Sequence, residues 1–107
     1  MKTIRFPDGT AVPALGQGSW MMAEDPGRGA QEIAALREGL DLGMTVIDTA
    51  EMYAEGESER LVGEAIAGRR DAVFLVSKAY PHHGSRERLP RACEASLARL
   101  GTDRLDL

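Results

Sequence analysis

The sequence predicts an α/β fold in which parallel strands alternate with helices. Two apolar runs, residues 44–48 and 72–78, have the composition of buried strands. The second run shows no polar alternation, which is typical of a strand buried on both faces. Three segments with apolar residues at helical spacing each end on a glycine and cover residues 23–43, 58–68 and 85–101. Strands and helices that alternate in this way form a parallel sheet with crossover helices.

A β-hairpin is predicted before this alternation, at residues 1–14, because the turn sequence PDGT separates two short apolar stretches. A short strand at residues 15–20 follows, and its glycines let a second backbone or a ligand come close. The final residues, RLDL, have the pattern of a further strand. We therefore expect one incomplete domain, in which residues 15–107 hold three strand–helix units and the start of a fourth strand.

Helix starts are predicted at polar residues that can cap a helix: Asp25 before Pro26, Ser58 and Ser85. Pro90 lies near the first turn of the third helix, where a proline costs least, and it can delay the regular helix. The polar loops that precede these starts are therefore expected to connect each strand to its helix.

Composition limits the function classes that the chain can serve. Its 107 residues form one small domain or part of a larger one. The net charge of −4, with arginines interspersed among acids, provides no basic patch, so neither nucleic acid nor a membrane is an expected partner. Cys93 is the sole cysteine, which excludes an internal disulfide and suits a reducing compartment. No signal segment or apolar run of about 20 residues occurs, so a cytoplasmic location is expected.

Polar residues follow the predicted strands at the points where they end. Asp48 ends the second strand, and Tyr53 lies in the loop after it. Lys78 ends the third strand, and Tyr80 lies just beyond. Because the carboxyl ends of parallel strands share one edge, these side chains are expected to meet there. We expect Asp48 and Lys78 at matching positions on neighbouring strands, where a salt bridge forms easily.

An acid, a lysine and a phenol at one edge have a chemical use. A free tyrosine, with a pKa of about 10, is a poor proton donor at neutral pH, and an adjacent ammonium lowers that pKa. We therefore expect Asp48 to orient Lys78, and Lys78 to tune Tyr53 for protonating a carbonyl oxygen as its carbon receives a hydride. Position alone leaves a second interpretation open, in which the Asp–Lys pair serves the fold and the tyrosine packs in a loop.

The segments GMTVIDTAEMY, SERLVGEAI and VFLVSK together resemble the N-terminal part of the aldo-keto reductases. The shared features are Asp-Thr-Ala at a strand end, a tyrosine five residues after the aspartate, Glu-x-x-Val-Gly at residues 59–63, and a strand ending in Ser-Lys. Bacterial members that reduce small aldehydes, methylglyoxal reductases among them, are most similar. The resemblance implies a nicotinamide-dependent carbonyl reductase with a (β/α)8 TIM barrel, of which this chain is the N-terminal part.

The resemblance also implies roles for individual residues, and it implies no metal. The residues expected to be catalytic are Asp48, Tyr53 and Lys78. The implied cofactor is NADPH, and the residues expected to contact it are Gly18, Ser19, Trp20 and Asp48. The implied substrate is a small carbonyl compound, expected to contact Trp20, Tyr53 and Tyr80.

Two function classes follow. In the first, the chain is a truncated, inactive part of a carbonyl reductase, since the family's catalytic histidine lies beyond Leu107 and neither His82 nor His83 matches its position. In the second, the chain is a non-catalytic scaffold or assembly module that keeps these residues. A terminus inside an apolar strand pattern favours the first class. A flavodoxin-like binding domain is a third alternative, which the acidic and bulky loop GSWMMAED disfavours because it would have to cradle a phosphate.

The isolated chain is expected to need another chain, or a second copy, to complete the barrel. Three or four parallel strands leave an edge and apolar faces uncovered, at a loss of about 1.5–3 kcal/mol for each uncovered side chain. Several such losses rival the stability of a domain, about 5–15 kcal/mol. Size-exclusion chromatography and denaturant unfolding of the 107-residue chain test this expectation, and a stable, cooperatively folding monomer would contradict it.

Overall fold

The computed structural model describes residues 1–107 and confirms the predicted order of strands and helices. Short 3₁₀ turns precede or follow several of these elements. The strands and helices are β1 Thr3–Arg5, β2 Ala11–Pro13, β3 Gln17–Gly18, α1 Gly29–Asp41, β4 Val46–Asp48, α2 Glu57–Ile66, β5 Phe74–Val76 and α3 Arg88–Leu100. None of the helices is long and apolar enough to span a bilayer.

The strands form two sheets. The hairpin prediction is confirmed, because β1 and β2 pair antiparallel with Ile4 opposite Val12. The second sheet is parallel in the order β3-β4-β5, with Gln17 opposite Ile47 and Ile47 opposite Leu75. A helix connects each strand of this sheet to the next, so the carboxyl ends of all three strands lie at one edge.

The predicted fourth strand begins beside β5. The Ser77 N–H donates to the Leu107 carbonyl at 3.1 Å, and the Leu107 N–H donates to the Leu75 carbonyl at 3.2 Å, which is the bonding pattern of a parallel neighbour. Arg70 fixes the approach to this point with a 2.8 Å salt bridge to Asp106. The Asp106 N–H also donates to the Leu75 carbonyl at 2.9 Å, and the Asp106 carboxylate accepts the Leu75 N–H at 2.8 Å, so a side chain takes the place of a backbone acceptor at this point.

The core lies between one face of the parallel sheet and the three helices. Its ten buried members come from every one of these layers and are Leu36, Leu40, Ile47, Leu61, Val62, Ala65, Ile66, Val73, Leu75 and Leu100. The expectation that β5 is buried on both faces is wrong for this chain: Leu75 is fully buried, whereas Phe74 and Val76 are half-buried. Successive side chains of a strand point to opposite faces, and the helices cover one of them.

Two helices begin later than predicted. Asp25 caps a 3₁₀ turn, Pro26–Arg28, by accepting the Gly27 N–H at 2.9 Å, and α1 starts after that turn. The Ser85 hydroxyl accepts the Arg88 N–H at 3.0 Å, so Ser85 holds the entry to α3 although the regular helix starts three residues later. The prolines near both starts suit a first turn that is not yet fully helical.

The predicted cap at Ser58 is wrong. The structure places Ser58 inside α2, fully buried, with its hydroxyl donating to the Met22 carbonyl at 2.5 Å. The residue before α2 is instead Gly56, whose φ of 92° lies in the left-handed region. Ser58 therefore joins α2 to the loop after β3, a contact between residues 36 positions apart that a local capping pattern does not reveal.

Gly63 allows α2 and α3 to approach closely. A Cβ atom at this position would lie 2.7 Å from the Leu100 carbonyl oxygen, and backbone cannot yield as a flexible side chain does. Gly29, at the start of α1, has helical φ and ψ, and a Cβ atom there would meet nothing within 4 Å. The two glycines therefore form a matched pair for a substitution by alanine.

We expect Gly63→Ala to destabilise the chain by about 1–3 kcal/mol, because the added methyl forces α2 and α3 apart. Gly29→Ala is expected to leave stability unchanged or to raise it by up to about 1 kcal/mol, through helix propensity. Denaturant unfolding measures both variants. Equal effects would show that the helix contact at Gly63 tolerates a methyl group.

Candidate active site

The register of β4 and β5 determines how the predicted site residues meet. Asp48 pairs with Val76, so Lys78 lies two residues beyond the position opposite Asp48. The expectation of matching positions is therefore wrong by two residues. The lysine side chain is long enough to span this offset, and its Nζ lies 2.8 Å from both carboxylate oxygens of Asp48. The expected salt bridge is present despite the shifted register.

Lys78 is the centre of the cluster. Besides Asp48, its Nζ donates to the Thr49 carbonyl at 3.0 Å and to the Tyr53 Oη at 3.1 Å, and it lies 4.9 Å from the centre of the Tyr53 ring. An ammonium has three donors, so these partners use all of them. The structure thus brings together three residues that the sequence predicts to be catalytic: Asp48, Tyr53 and Lys78.

The surroundings keep Lys78 charged. Burial by itself lowers the pKa of Lys78, but the hydrogen bonds to Asp48 and Tyr53 and the Asp48 charge outweigh it, so the pKa is raised. The side chains of Lys78 and Asp48 are 43% and 42% exposed, so solvent still reaches the pair in this chain. The ammonium is therefore a permanent hydrogen-bond donor to the Tyr53 oxygen at neutral pH.

Tyr53 begins an unusual left-handed turn. Ala54, Glu55 and Gly56 have φ values of 49°, 55° and 92°. For a residue with a side chain, the left-handed region costs on the order of 1 kcal/mol. The turn follows the phenol directly and leads into α2. The sequence signals this turn through Gly56 alone.

A fully buried carboxylate supports the strand end from behind. Glu59, 0% exposed in α2, accepts the Ser77 hydroxyl at 2.8 Å and the Arg99 Nε–H at 2.7 Å. These bonds link α2, the residue before Lys78, and α3. Sequence reasoning assigned Glu59 to the family pattern without a role, although an acid among the apolar residues of a helix is a signal for a buried partner.

A second carboxylate joins the loops after β4 and β5. The Glu51 N–H donates to the Lys78 carbonyl at 3.0 Å, and the Glu51 carboxylate accepts the Tyr80 N–H at 2.7 Å. Nδ1 of His83 lies 3.0 Å from both oxygens of the same carboxylate. Burial by itself raises the pKa of Glu51, but the bonds to His83 and to the Tyr80 N–H outweigh it and lower the pKa. Sequence reasoning missed Glu51.

The residues predicted to contact the cofactor lie beside this cluster. The Ser19 N–H donates to the Asp48 carbonyl at 3.0 Å, and the Ser19 hydroxyl is buried without a hydrogen-bond partner. Thr49 has an equally buried and unpartnered hydroxyl. A Cβ atom at Gly18 would meet nothing within 4 Å, so there is open space over that backbone. The Trp20 side chain is 72% exposed and takes no part in the Lys78 contacts.

The model of the aldo/keto reductase family matches residues 14–107. The chain belongs to this family. It is 55% identical over 106 residues to methylglyoxal reductase YeaE of Escherichia coli, covering 99% of this chain and 37% of the relative. It is 38% identical to aldo-keto reductase YhdN of Bacillus subtilis, covering 92% of this chain and 34% of that relative. The chain thus spans little more than a third of the length of the curated relatives it matches.

Solved structures show the same fold. An aldo/keto reductase from Klebsiella pneumoniae, crystallised with NADP and acetate, superposes with a TM-score of 0.94 at 58% identity, over 98% of this chain and 37% of that one. The thermostable aldo-keto reductase Tm1743, in complex with the inhibitor epalrestat, gives a TM-score of 0.93 at 38% identity, over 98% and 40% of the two chains. The resemblance and the fold class are confirmed: the chain forms the first part of a TIM barrel and not a closed barrel.

We expect the substitution Asp48→Asn to lower the pKa of Lys78, because the hydrogen bonds and charge of Asp48 raise it above the usual value of 10.5. A raised folded-state pKa stabilises the fold below the unfolded-state value, and this stabilisation is lost as the pH rises through the folded value. The free energy of unfolding of the unsubstituted chain should therefore exceed that of Asp48→Asn below about pH 10.5, and this difference should become smaller at higher pH. NMR titration of the lysine side chains measures the pKa directly.

Lys2, the other lysine of the chain, serves as an internal reference in this titration. Asp41→Asn is the matched control, because Asp41 pairs with Arg69 on the surface and makes no contact with Lys78. An unchanged pKa of Lys78 in Asp48→Asn would contradict the assigned role of Asp48.

Proposed function

We propose that this chain is the N-terminal part of a carbonyl reductase that uses NADPH to reduce small aldehydes or ketones to alcohols. One observation carries the proposal: a lysine, fully engaged as a donor, contacts a carboxylate at 2.8 Å and a phenol oxygen at 3.1 Å, at the carboxyl ends of two parallel strands. Catalytic groups of TIM barrels lie at that edge. The single cysteine suits a reducing compartment, so we place the reaction in the cytoplasm.

In the proposed mechanism, Tyr53 is the proton donor. When bound, the cofactor supplies a hydride to the carbonyl carbon. The Tyr53 hydroxyl gives its proton to the carbonyl oxygen, so the product is an alcohol and the tyrosine is left as a phenolate. The Lys78 ammonium donates a hydrogen bond to the Tyr53 oxygen and stabilises the negative charge that develops on this oxygen as the proton leaves. Asp48 holds the ammonium in place and keeps it charged.

The residues beside Asp48 fit a nicotinamide cofactor. Two buried hydroxyls, those of Ser19 and Thr49, lack partners, and buried polar groups without partners are rare in proteins. Open space over Gly18 and the exposed ring of Trp20 provide a surface for a flat, partly polar ring. We therefore propose Gly18, Ser19, Trp20 and Asp48 as cofactor contacts. Two structures of aldo-keto reductases from Klebsiella pneumoniae, one with NADP and one with NADPH, support this choice of cofactor.

We propose a small aldehyde or ketone as substrate, contacting Trp20, Tyr53 and Tyr80. Relatives from Escherichia coli and Salmonella typhimurium carry the name methylglyoxal reductase, which supports a short dicarbonyl as one substrate. Two phenols and an indole would give such a pocket apolar walls and few polar contacts, which suits small carbonyl compounds of varied structure.

The isolated chain is proposed to be inactive, because the rest of the barrel must come from residues outside these 107 or from another chain. The chain spans 37% of its Escherichia coli relative. An apolar cleft of about 320 Å³ also runs between the end of β5 and α3, lined by Leu89, Cys93, Leu105 and Leu107 among others, where the next strand would pack. The alternative remains a non-catalytic assembly module that keeps the reductase residues.

A fusion protein separates these two functions. Residues 1–107 are joined after Leu107 to the part of the Escherichia coli relative that follows its matched segment, and NADPH oxidation is followed with methylglyoxal and with a series of aldehydes. We expect activity from the fusion and none from the 107-residue chain alone. A folded fusion without activity would overturn the reductase proposal and favour the assembly module.

Three substitutions in the fusion test the assigned roles. Tyr53→Phe should lower kcat by about 10²–10⁴, the usual contribution of a general acid. Lys78→Met should lower kcat and shift the pH–rate profile, because the phenol loses its cationic neighbour. Lys2→Met is the matched control, since Lys2 lies in the hairpin next to β1 and its side chain makes none of the contacts of the Lys78 cluster, and it should leave kcat unchanged. Normal carbonyl reduction by Tyr53→Phe would show that Tyr53 is not the proton donor.

A further inference from the structure

Behind the proposed substrate residue Tyr80, the buried Glu51 carboxylate contacts the half-buried His83 imidazole, and the proposed reaction uses neither group. Glu51 is 7% exposed, and its carboxylate contacts two residues of the loop after β5: the Tyr80 N–H at 2.7 Å and the His83 imidazole at 3.0 Å. Its own N–H bonds the Lys78 carbonyl at 3.0 Å. Glu51 therefore connects the loop after β4 to the loop after β5, and its contacts in the second loop are Lys78, Tyr80 and His83.

The ring of Tyr80 makes a second set of contacts with this loop, through the two histidines. The phenol stacks on His82 with ring centres 4.9 Å apart, and it meets the edge of His83 at 5.7 Å. The two imidazoles contact each other at 4.4 Å. A stacked or edge-to-face aromatic pair contributes about 0.5–1.5 kcal/mol beyond its buried area, so the ring position depends on where the imidazoles are held. Glu51 holds one of them.

The charges around Glu51 favour its ionised form. It lines a cleft of about 450 Å³ in which the other charged or titratable side chains are His82, His83, Arg88, Arg91 and Arg99. Of these, Arg99 is neutralised by Glu59, and Arg88 donates to the His82 carbonyl at 3.0 Å. A buried carboxylate surrounded by cations stays charged and makes stronger hydrogen bonds than a neutral acceptor.

We propose that Glu51 and His83 are positioning residues that fix Tyr80 as a wall of the substrate pocket and thereby set which carbonyl compounds fit. This inference rests on the proposed function, because it assigns specificity within the same site. These contacts matter because Tyr80 sits in a loop without a strand partner, where its N–H bonds the Glu51 carboxylate and its carbonyl accepts the His83 N–H at 2.9 Å. Loosening the pair moves the wall without touching Asp48, Tyr53 or Lys78.

The test uses Glu51→Gln and His83→Gln in the fusion protein. In Glu51→Gln, the glutamine keeps the shape and an acceptor for the Tyr80 N–H but removes the negative charge. His83→Gln removes the imidazole that contacts both the Glu51 carboxylate and the Tyr80 ring. We expect KM for a bulky aromatic aldehyde to change about tenfold and KM for a three-carbon dicarbonyl less than about threefold, with kcat within about twofold. Because the two residues act as one unit, the double variant should resemble the single variants. Glu94→Gln, at an exposed acid of α3, is the matched control.

Hydrogen exchange of the segment that contains Tyr80 gives a second readout that does not depend on activity. We expect exchange at this segment to rise about tenfold or more in Glu51→Gln and to stay unchanged in Glu94→Gln. Faster exchange with an unchanged ratio of the two KM values would overturn the specificity role, and unchanged exchange would overturn the positioning role. An inactive fusion with wild-type exchange behaviour would count against the proposed function, whereas hydrogen exchange would still decide whether Glu51 positions Tyr80. His83 is half-buried, so His83→Gln should fold even if Glu51→Gln does not.

Discussion

The structure of the site depends on one interaction, the contact between the Lys78 ammonium and the Asp48 carboxylate. The strands alone do not align these residues, because the register places Val76 opposite Asp48. The side chain of Lys78 crosses the offset and, once there, also reaches the Thr49 carbonyl and the phenol of Tyr53. Without the Asp48 carboxylate, the ammonium would keep only two uncharged partners, the Thr49 carbonyl and the Tyr53 hydroxyl, and it would be free to turn toward solvent. The position of the phenol relative to the strands therefore depends on this ion pair.

The surrounding residues support Lys78 from two sides. The Glu59–Ser77 bond secures the residue before it, and the Glu51 N–H secures its own carbonyl. The residues of the family pattern at positions 59–63 therefore have structural roles in this chain and take no part in the proposed reaction. Its glutamate fills a buried, charged junction between α2, β5 and α3, and its glycine lets α2 and α3 touch through backbone. In this chain, the residues of the pattern therefore support the strand that ends at Lys78.

Much of this arrangement could be predicted from the sequence, and the part that could not has a common cause. The periodicity of apolar residues and the glycines at helix ends determine the order of elements locally, so that order was predicted. The buried role of Ser58 and the carboxylate junctions of Glu51 and Glu59 involve partners between 18 and 40 residues away. A local pattern contains no information on such partners. The same reason explains why the strand offset at Asp48 was missed.

The exposure of the cluster links its chemistry to the completeness of the fold. In this chain about two fifths of the Lys78 and Asp48 side chains face solvent, where water screens charges. At about 3 Å, a pair of unit charges interacts several times more strongly in a protein interior than in bulk water. The effect of the ammonium on the Tyr53 oxygen is therefore screened in this open sheet, and it would grow if further chain covered the cluster and excluded water. In this chain, the hydrogen-bond distances around Lys78 are already formed, whereas solvent still weakens the interaction between its charge and the Tyr53 oxygen.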